Sequence, residues 1–512
     1  MKVVMFTFES FYVKKVGGLA EVPPRLGEAM SKRGIGVELY TPSHGVLDAC
    51  KEPVFSTVVQ GVKHCISVFP GAKPTHYVVG GGLLDEMAVY PPGRLMDKAL
   101  TFARVIAEYF SRVLAGSQGF TVFHGHDWHS VPALLAVNSL STRFEVPVKL
   151  VYHVHLYSKN TIELEGLCRV VGLCWNTPIR GDHGLRDLGY YVERSHGLIE
   201  RLAALVVDKV ITVSKGYSKS LLRVLGLNSA HKLDYVYNAS PLTWSEVKSI
   251  LVKSGVKTPE DHGERLSFRR SLLTKDLSYV KLEWQDENTE KRVKNLLEYY
   301  GVSQSTPFKS DGPLVFSIGR LSKQKGFDVV LKALDKLTIN NPRLKVVMAL
   351  SPSMWDVDAM KVFIEAQLSY PDNLRVLLGM VSREDAVKLY YAANATLVPS
   401  RSEPFGLVAL ESMACGTPVS ASRVGGLVDI VTDVRKHGVN GVGVLFTPSD
   451  VKDLVESTSY LVELVESTYL GAEEPRTIRD SCIKRSEEFN WGNSAEKMIN
   501  IYSRLLTSNL KP

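Results

Sequence analysis

Residues 396–418, TLVPSRSEPFGLVALESMACGTP, decide how the second half of this chain folds. The apolar and β-branched residues 396–400 are typical of a buried strand. Pro404 favours a break in the chain and suits a helix start. Helix-forming residues follow it as far as Gly416, which predicts a stop before a new strand at Pro418. The order of strand, loop, helix and strand predicts part of an α/β sheet.

Two carboxylates flank the start of this helix. The amides of Phe405, Gly406 and Leu407 are expected to point out of the helix start, where the dipole favours an anion such as a diphosphate. Glu403 precedes the helix, and Glu411 falls on nearly the same face as its start. Because acids repel a phosphate, both are expected to accept hydrogen bonds from sugar hydroxyls. The stretch predicts a nucleotide-sugar ligand; the alternative is a surface helix with two solvated acids.

The segment EPFGLVALE, residues 403–411, resembles the E-x7-E signature of retaining glycosyltransferases with the two-domain GT-B architecture. Near the N-terminus, KVGGL resembles the K-x-G-G-L motif of glycogen and starch synthases. Gly17 and Gly18 can adopt conformations closed to other residues and let a ligand approach the backbone, while Lys15 supplies a positive charge for a phosphate. The alternative is a glycine turn that only connects a strand to a helix.

Two further turns resemble parts of the same family's donor site. In LVFSIGRLSKQKGFDVVLKAL, Arg320 and Lys325 resemble the cations that hold the donor diphosphate. Such cations would stabilise the charge that gathers on the leaving group as the glycosidic bond breaks. In SASRVGGLVDIV, Gly425 and Gly426 resemble the loop that closes over the donor phosphates. The alternative for both is an ordinary solvated turn.

Histidines support a competing hypothesis. HGHDWH at 124–129 and YHVH at 152–155 contain His-x-His pairs, and a strand projects both members of such a pair to one side. With Asp127 and His129 nearby, three imidazoles and a carboxylate would suit zinc or another divalent transition metal. A metal-dependent hydrolase therefore stays open on spacing alone.

The same residues also resemble glycogen synthases. HDWH is similar to a motif of that family, and residues 151–156 are similar to the strand that delivers a histidine to the donor sugar. The resemblance implies that Asp127 and His155 lie close to the anomeric carbon. His124 and His153 have no such match and are interpreted as strand histidines whose hydrogen bonds are satisfied.

Composition and charge bound the class of protein. The 512 residues are 45% hydrophobic and 22% charged, as in globular chains with large cores. The net charge is +7, and the basic residues form no long run along the sequence, so no nucleic-acid partner is expected. No segment approaches the ~20 apolar residues that cross a bilayer, and the N-terminus lacks a signal peptide, so we expect no membrane association and a cytoplasmic location. Six cysteines are too few for a disulfide scaffold, and Cys168 and Cys174 are expected to be loop or core thiols.

Strand-like and helical stretches alternate in both halves, which predicts an α/β protein with two parallel sheets. The resemblance implies GT-B architecture, with two Rossmann-like parallel-sheet domains facing a deep cleft. The predicted boundaries are an N-terminal domain at 1–240, a polar linker or insertion at 241–310, a nucleotide-sugar-binding domain at 311–489, and a C-terminal helix at 490–512 that returns to the first domain. Ala239 stands where the family has a glycine, so the connection departs from the family pattern.

The resemblance implies an archaeal-type or divergent member of the glycogen and starch synthase family. Such an enzyme would move glucose from ADP-glucose or UDP-glucose to the non-reducing end of an α-1,4-glucan, with retention of configuration and without a metal or other cofactor. The principal alternative is a retaining transferase with a small sugar acceptor. A metal-dependent hydrolase and a catalytically weak glucan-binding protein complete the alternatives. Nothing in the sequence indicates the oligomeric state.

Overall fold

The structure, a computed structural model, describes most of the chain: residues 1–116, 120–284, 286–353, 356–467 and 474–507. The chain forms two compact units, Met1–Asn238 with Asn490–Pro512, and Ala239–Phe489. Residues 508–512 of the predicted C-terminal helix lie outside the described residues.

The first unit is built on a nine-stranded sheet in the order β11-β10-β7-β6-β1-β2-β5-β4-β3. Its strands are parallel except at the β5-β4-β3 edge, and β8 pairs with β9 in a separate hairpin. The strands are β1 (Lys2–Phe6), β2 (Gly36–Pro42), β3 (Phe55–Val59), β4 (Val62–Val68), β5 (Thr75–Gly80), β6 (Thr121–His126), β7 (Val148–Val154), β8 (Pro178–Gly181), β9 (Gly184–Asp187), β10 (Lys209–Thr212) and β11 (Leu233–Tyr235). The helices are α1 (Val22–Ser31), α2 (Leu95–Leu114), α3 (Val131–Phe144), α4 (Leu164–Gly166), α5 (Leu188–Arg194), α6 (Ile199–Val206) and α7 (Lys215–Leu225).

The second unit is built on a six-stranded, fully parallel sheet in the order β15-β14-β13-β17-β18-β19. A short antiparallel pair, β12 with β16, lies beside it. The strands are β12 (Leu282–Glu283), β13 (Leu314–Arg320), β14 (Lys345–Ser351), β15 (Leu374–Leu378), β16 (Met380–Val381), β17 (Ala395–Val398), β18 (Val419–Ser422) and β19 (Gly443–Phe446). The helices are α8 (Trp244–Lys253), α9 (His262–Thr274), α10 (Glu287–Tyr300), α11 (Phe327–Asn340), α12 (Val357–Ser369), α13 (Arg383–Ala392), α14 (Leu407–Ala414), α15 (Leu427–Ile430), α16 (Val434–His437), α17 (Val451–Glu466) and α18 (Glu474–Glu488).

The last helix, α19 (Trp491–Thr507), packs on the first unit. Met498 and Tyr502 are fully buried in a cluster with Val3 and Met5 of β1 and Leu26 of α1. The end of the chain therefore completes the core of the unit in which the chain begins.

Residues 241–310 differ from the predicted polar linker. Val247 and Leu251 of α8 and Leu273 of α9 are fully buried in one cluster with Leu314 and Phe316 of β13. The helices carry polar residues on one face and an apolar stripe on the other, and the polar residues dominate the composition. The segment is a structural part of the second unit.

The cysteines also differ from the prediction. Cys50 is bonded to Cys65 and Cys168 to Cys174, while Cys415 and Cys482 are free and buried. The expectation of loop or core thiols at 168 and 174 is wrong because the tight turn between them brings their Cα atoms to 4.3 Å. Disulfides are rare inside most cells, so the cysteines give no support to the predicted cytoplasmic location.

None of the helices in the described part of the chain is long and apolar enough to cross a bilayer.

Candidate active site

Two neighbouring strands of the second sheet end at the candidate site. β13 and β17 are parallel neighbours, with Val315 opposite Ala395, so their carboxyl ends lie at the same edge of the sheet. β13 ends at Arg320, whose side chain is exposed, and β17 leads through residues 399–406 into α14. Open α/β sheets bind ligands at this edge.

An ion pair joins the two loops that leave these strands. Lys325 Nζ lies 2.7 Å from Glu403 Oε2, and the side chains are only 17% and 10% exposed. Ser400 Oγ donates a second hydrogen bond, of 3.1 Å, to the same oxygen. The structure thus brings together the cation expected to hold a diphosphate and the acid expected to bind the sugar.

Gly326 holds the two loops close enough for this pair to form. Its φ is +70°, and a Cβ there would lie 2.1 Å from the carbonyl oxygen of Pro399. Gln324 adds two links across the same gap, because its carbonyl accepts from the amide of Arg401 and its side-chain amide donates to Ser402 O. The position of Lys325 is therefore set by backbone packing that only glycine allows.

The second glycine pair packs on the backbone that carries Glu403. A Cβ on Gly425, at φ +47°, would lie 1.9 Å from Glu403 O, and one on Gly426 would lie 2.2 Å from Phe405 O. Gly426 N donates to Glu403 O over 2.9 Å. These glycines support the loop from 403 to 405, a role that the sequence did not indicate.

The helix after this loop begins later than predicted. Gly406 is its N-cap and Leu407 its first residue, so Pro404 lies in the loop before it. The first amides of a helix have no acceptor within the helix, and those of Leu407 and Val408 lie in this first turn. Glu411 is the fifth helical residue, about one turn inside the helix.

A tyrosine holds the second acid of the E-x7-E segment. Tyr390, a buried residue of α13, donates from its hydroxyl to Glu411 Oε2 over 2.8 Å. Burial, followed by the charge of Glu411, raises the pKa of Tyr390 well above its usual value, so the phenol stays a donor. Sequence reasoning missed Tyr390, since no motif marks it.

In the first unit, Glu9, three residues after β1, holds the K-x-G-G-L loop. Glu9 Oε2 accepts the amides of Val16 and Gly17 at 2.8 and 2.6 Å, and Tyr90 donates its hydroxyl to the other carboxylate oxygen. Lys15 is exposed and paired with Glu21 at 2.9 Å. Sequence reasoning missed Glu9, although an acid that ends a buried apolar strand was a usable signal.

The glycines of this loop do not have the special conformation that was predicted. Gly17 is extended, with φ −141° and ψ −168°, and neither it nor Gly18 is among the described glycines with positive φ. A Cβ on Gly17 would make ordinary contact with the Glu9 carboxylate at 3.7 Å. Neither backbone conformation nor packing therefore requires a glycine at position 17.

Asp127 and His155 meet at the ends of β6 and β7. Asp127 Oδ1 accepts the amides of His155 and Leu156 at 2.7 and 3.3 Å, and Asp127 N donates to His153 O at 2.9 Å. Its φ of +57° with ψ 171° is rare for a residue other than glycine, and such strain is found mainly at functional sites. Burial raises the pKa of Asp127 to about 7, although the two amides act in the opposite direction.

Comparisons with known proteins agree across the chain. The model for the starch synthase catalytic domain matches residues 2–233, and the model for glycosyl transferases group 1 matches residues 302–468. The chain is 32% identical to an uncharacterized glycosyltransferase of Methanocaldococcus jannaschii, with 98% of each chain covered. It is 24% identical to a glycogen synthase of Thermotoga maritima, with 99% of each covered.

Solved structures share the fold at lower identity. The catalytic domain of starch synthase IV from Arabidopsis thaliana, bound to ADP and acarbose, has a TM-score of 0.67 at 20% identity, with 98% of this chain and 99% of that chain covered. Sucrose-phosphate synthase from Thermosynechococcus elongatus has a TM-score of 0.57 at 19% identity, with 99% of each chain covered. The two Rossmann-like parallel sheets are those of the GT-B fold. The chain belongs to the glycogen and starch synthase family of glycosyltransferases.

Proposed function

We propose that this protein transfers glucose from ADP-glucose or UDP-glucose to the non-reducing end of an α-1,4-glucan, with retention of configuration. The observation that carries the proposal is the nearly buried pair of Lys325 and Glu403 at the carboxyl edge of β13 and β17. A cation and an acid side by side suit a ligand in which a phosphate adjoins a hydroxyl-bearing sugar.

In this proposal the donor replaces the ion pair. The ammonium of Lys325 binds the diphosphate instead of Glu403. The exposed Arg320 and the first amides of α14 donate further hydrogen bonds to the diphosphate. Glu403, released from Lys325, accepts hydrogen bonds from glucose hydroxyls. Because charge on the diphosphate grows as the glycosidic bond breaks, these groups bind the transition state more strongly than the ground state.

The remaining groups of the second unit would orient the nucleotide. Glu411, whose carboxylate Tyr390 fixes in place, would accept hydroxyls of the ribose. Gly425 and Gly426 would keep the Glu403 loop in position. Lys15, with the backbone of Gly17 and Gly18, would contribute to donor binding from the first unit.

Asp127 and His155 would serve the sugar centre. Burial lowers the pKa of His155 to about 3, so its ring is neutral at physiological pH. We propose that this neutral ring or the main-chain carbonyl of His155 steadies positive charge at the anomeric carbon. Asp127 fixes the backbone of His155 and would lie close to the same centre.

Labelled donors test the proposal. ADP-glucose and UDP-glucose carrying labelled glucose are offered with glycogen, and in parallel with monosaccharide acceptors. Incorporation into glycogen is expected. Incorporation only into a small acceptor would contradict glucan synthesis and favour the alternative transferase, and the absence of nucleotide release with every donor would contradict an active enzyme.

A further inference from the structure

Four histidines of the first unit lie on one face of two neighbouring strands. β6 and β7 are parallel, with His126 opposite His153. His124 lies two residues before His126, and His155 lies two residues after His153, so both fall on the same face of the sheet as that pair. The rings stack, with centroids 4.2 Å apart for His124 and His126 and 5.3 Å apart for His126 and His153. His124 and His126 are fully buried, and His153 is 1% exposed.

Several nitrogens of these buried rings have no hydrogen-bond partner among the residues that the structure describes. His124 Nδ1 is bonded to the Tyr502 hydroxyl at 2.6 Å and His126 Nδ1 to His155 Nε2 at 3.0 Å, but the Nε2 atoms of both rings have no partner in that part of the chain. Both nitrogens of His153 also lack a partner among the described residues. Buried polar atoms are nearly always paired, and each exception requires an explanation such as an ion.

The pattern of used and unused nitrogens is that of metal ligands. A metal-bound histidine usually donates its other ring N–H to a nearby group, which fixes the ring. His124 and His126 each have one ring nitrogen hydrogen-bonded to a neighbouring side chain, and their other ring nitrogen is available to a metal.

We propose that His124, His126 and His153 bind one transition-metal ion, with zinc as the first candidate and a water molecule as its fourth ligand. Their ligand atoms all lie within 4.8 Å of one another, a grouping found among the described residues. Zinc–nitrogen bonds of about 2.0–2.1 Å in a tetrahedral arrangement need nitrogens about 3.4 Å apart. The rings must therefore turn out of their stack and approach by about an ångström on binding.

The proposed ion is structural and separate from glucosyl transfer. Its ligands are buried, so no substrate reaches it, which distinguishes it from the metal centre of a hydrolase. Through its ligands it ties β6 to β7, and through the bond between His124 and Tyr502 it ties both strands to α19. Its expected effect is on the stability of the first unit.

Metal content tests the site. Protein without a histidine tag is equilibrated with Zn²⁺, dialysed against metal-free buffer and analysed for zinc. About one zinc per chain is expected for the wild type and for the control His76→Leu, which changes another fully buried histidine of the same unit, and almost none for His153→Leu. A wild type that emerges without zinc, or a His153→Leu variant that retains as much zinc as the wild type, would overturn the proposal.

Two further measurements guard against a variant that fails to fold. Zn²⁺ should raise the melting temperature of the wild type and not that of His153→Leu, while in a chelator the variant should be at least as stable, because it lacks the two unpaired nitrogens. Co²⁺ bound to the wild type should give the intense visible bands of a four-coordinate site, which Zn²⁺ then abolishes. A weak spectrum typical of six oxygen ligands would contradict a three-histidine site.

Discussion

Replacing Lys325 with methionine removes the ammonium that we assign to the donor diphosphate. A single preplaced donor to a developing negative charge contributes about 3 kcal/mol, so Lys325→Met should lower kcat/KM about 10²–10³-fold. The same change leaves Glu403 with the hydroxyl of Ser400 as a side-chain partner, which should cost about 1–3 kcal/mol of stability, below the 3–5 kcal/mol of a fully buried pair. The effect on rate should therefore far exceed the fraction of protein unfolded.

The assay measures nucleotide release and labelled-glucose incorporation together with a thermal melt. Glu403→Gln is also combined with Lys325→Met. The kcat/KM of this double variant should be no lower than that of the less active single variant, because the two residues act on one ligand. Arg401→Gln is the matched control, because Arg401 lies in the same loop as Glu403 and pairs with Asp328 of α11, but the two side chains are 36% and 46% exposed. That pair should contribute at most about 1 kcal/mol and leave kcat/KM within about twofold. Wild-type kcat/KM in a folded Lys325→Met variant would refute the assignment.

Three other outcomes are expected. Tyr390→Phe removes one hydrogen bond to Glu411, which contributes about 0.5–1.5 kcal/mol. The KM for the donor should therefore rise about 3–10-fold, while kcat stays nearly unchanged. An unchanged KM would argue against the role of Glu411 in binding the ribose. Because burial raises the pKa of Asp127 from 3.8 to about 7, the folded state binds more protons than the unfolded state between these values, and this group's contribution to stability falls as pH rises through that window. In urea, the free energy of unfolding of Asp127→Asn should therefore rise relative to that of the wild type by up to about 4 kcal/mol between pH 4 and pH 7. A difference in unfolding free energy that does not change with pH would contradict the raised pKa. A thiol reagent should detect two thiols rather than six in unreduced, denatured protein. Loss of the Cys50–Cys65 bond should lower the free energy of unfolding by about 3 kcal/mol. Six reactive thiols would contradict both disulfides.

Periodicity and short motifs were enough for the fold class and the family. The apolar residues before Pro399 predicted β17, because buried strands leave a local signal in the sequence. The fold class and the family are both confirmed. The start of α14 was placed too early because proline suits a helix start, whereas the chain turns at Gly406.

Contacts between residues far apart in the chain explain most of the structural features that could not be predicted from the sequence. Residues 241–310 read as polar because their apolar stripe is narrow, and only the second sheet supplies its partner. Cys50 and Cys65 are 15 residues apart, and no local pattern indicates that they are bonded. Motifs also identify residue types rather than partners, so the contacts of Glu403 with Lys325 and of Gly425 with the Glu403 backbone were not predictable.

A crystal structure of this protein with ADP or UDP tests the central claim most directly. Lys325 Nζ should leave Glu403 and lie within about 3 Å of a phosphate oxygen, with the diphosphate at the first turn of α14. An intact Lys325–Glu403 pair, with the nucleotide bound elsewhere, would contradict the account.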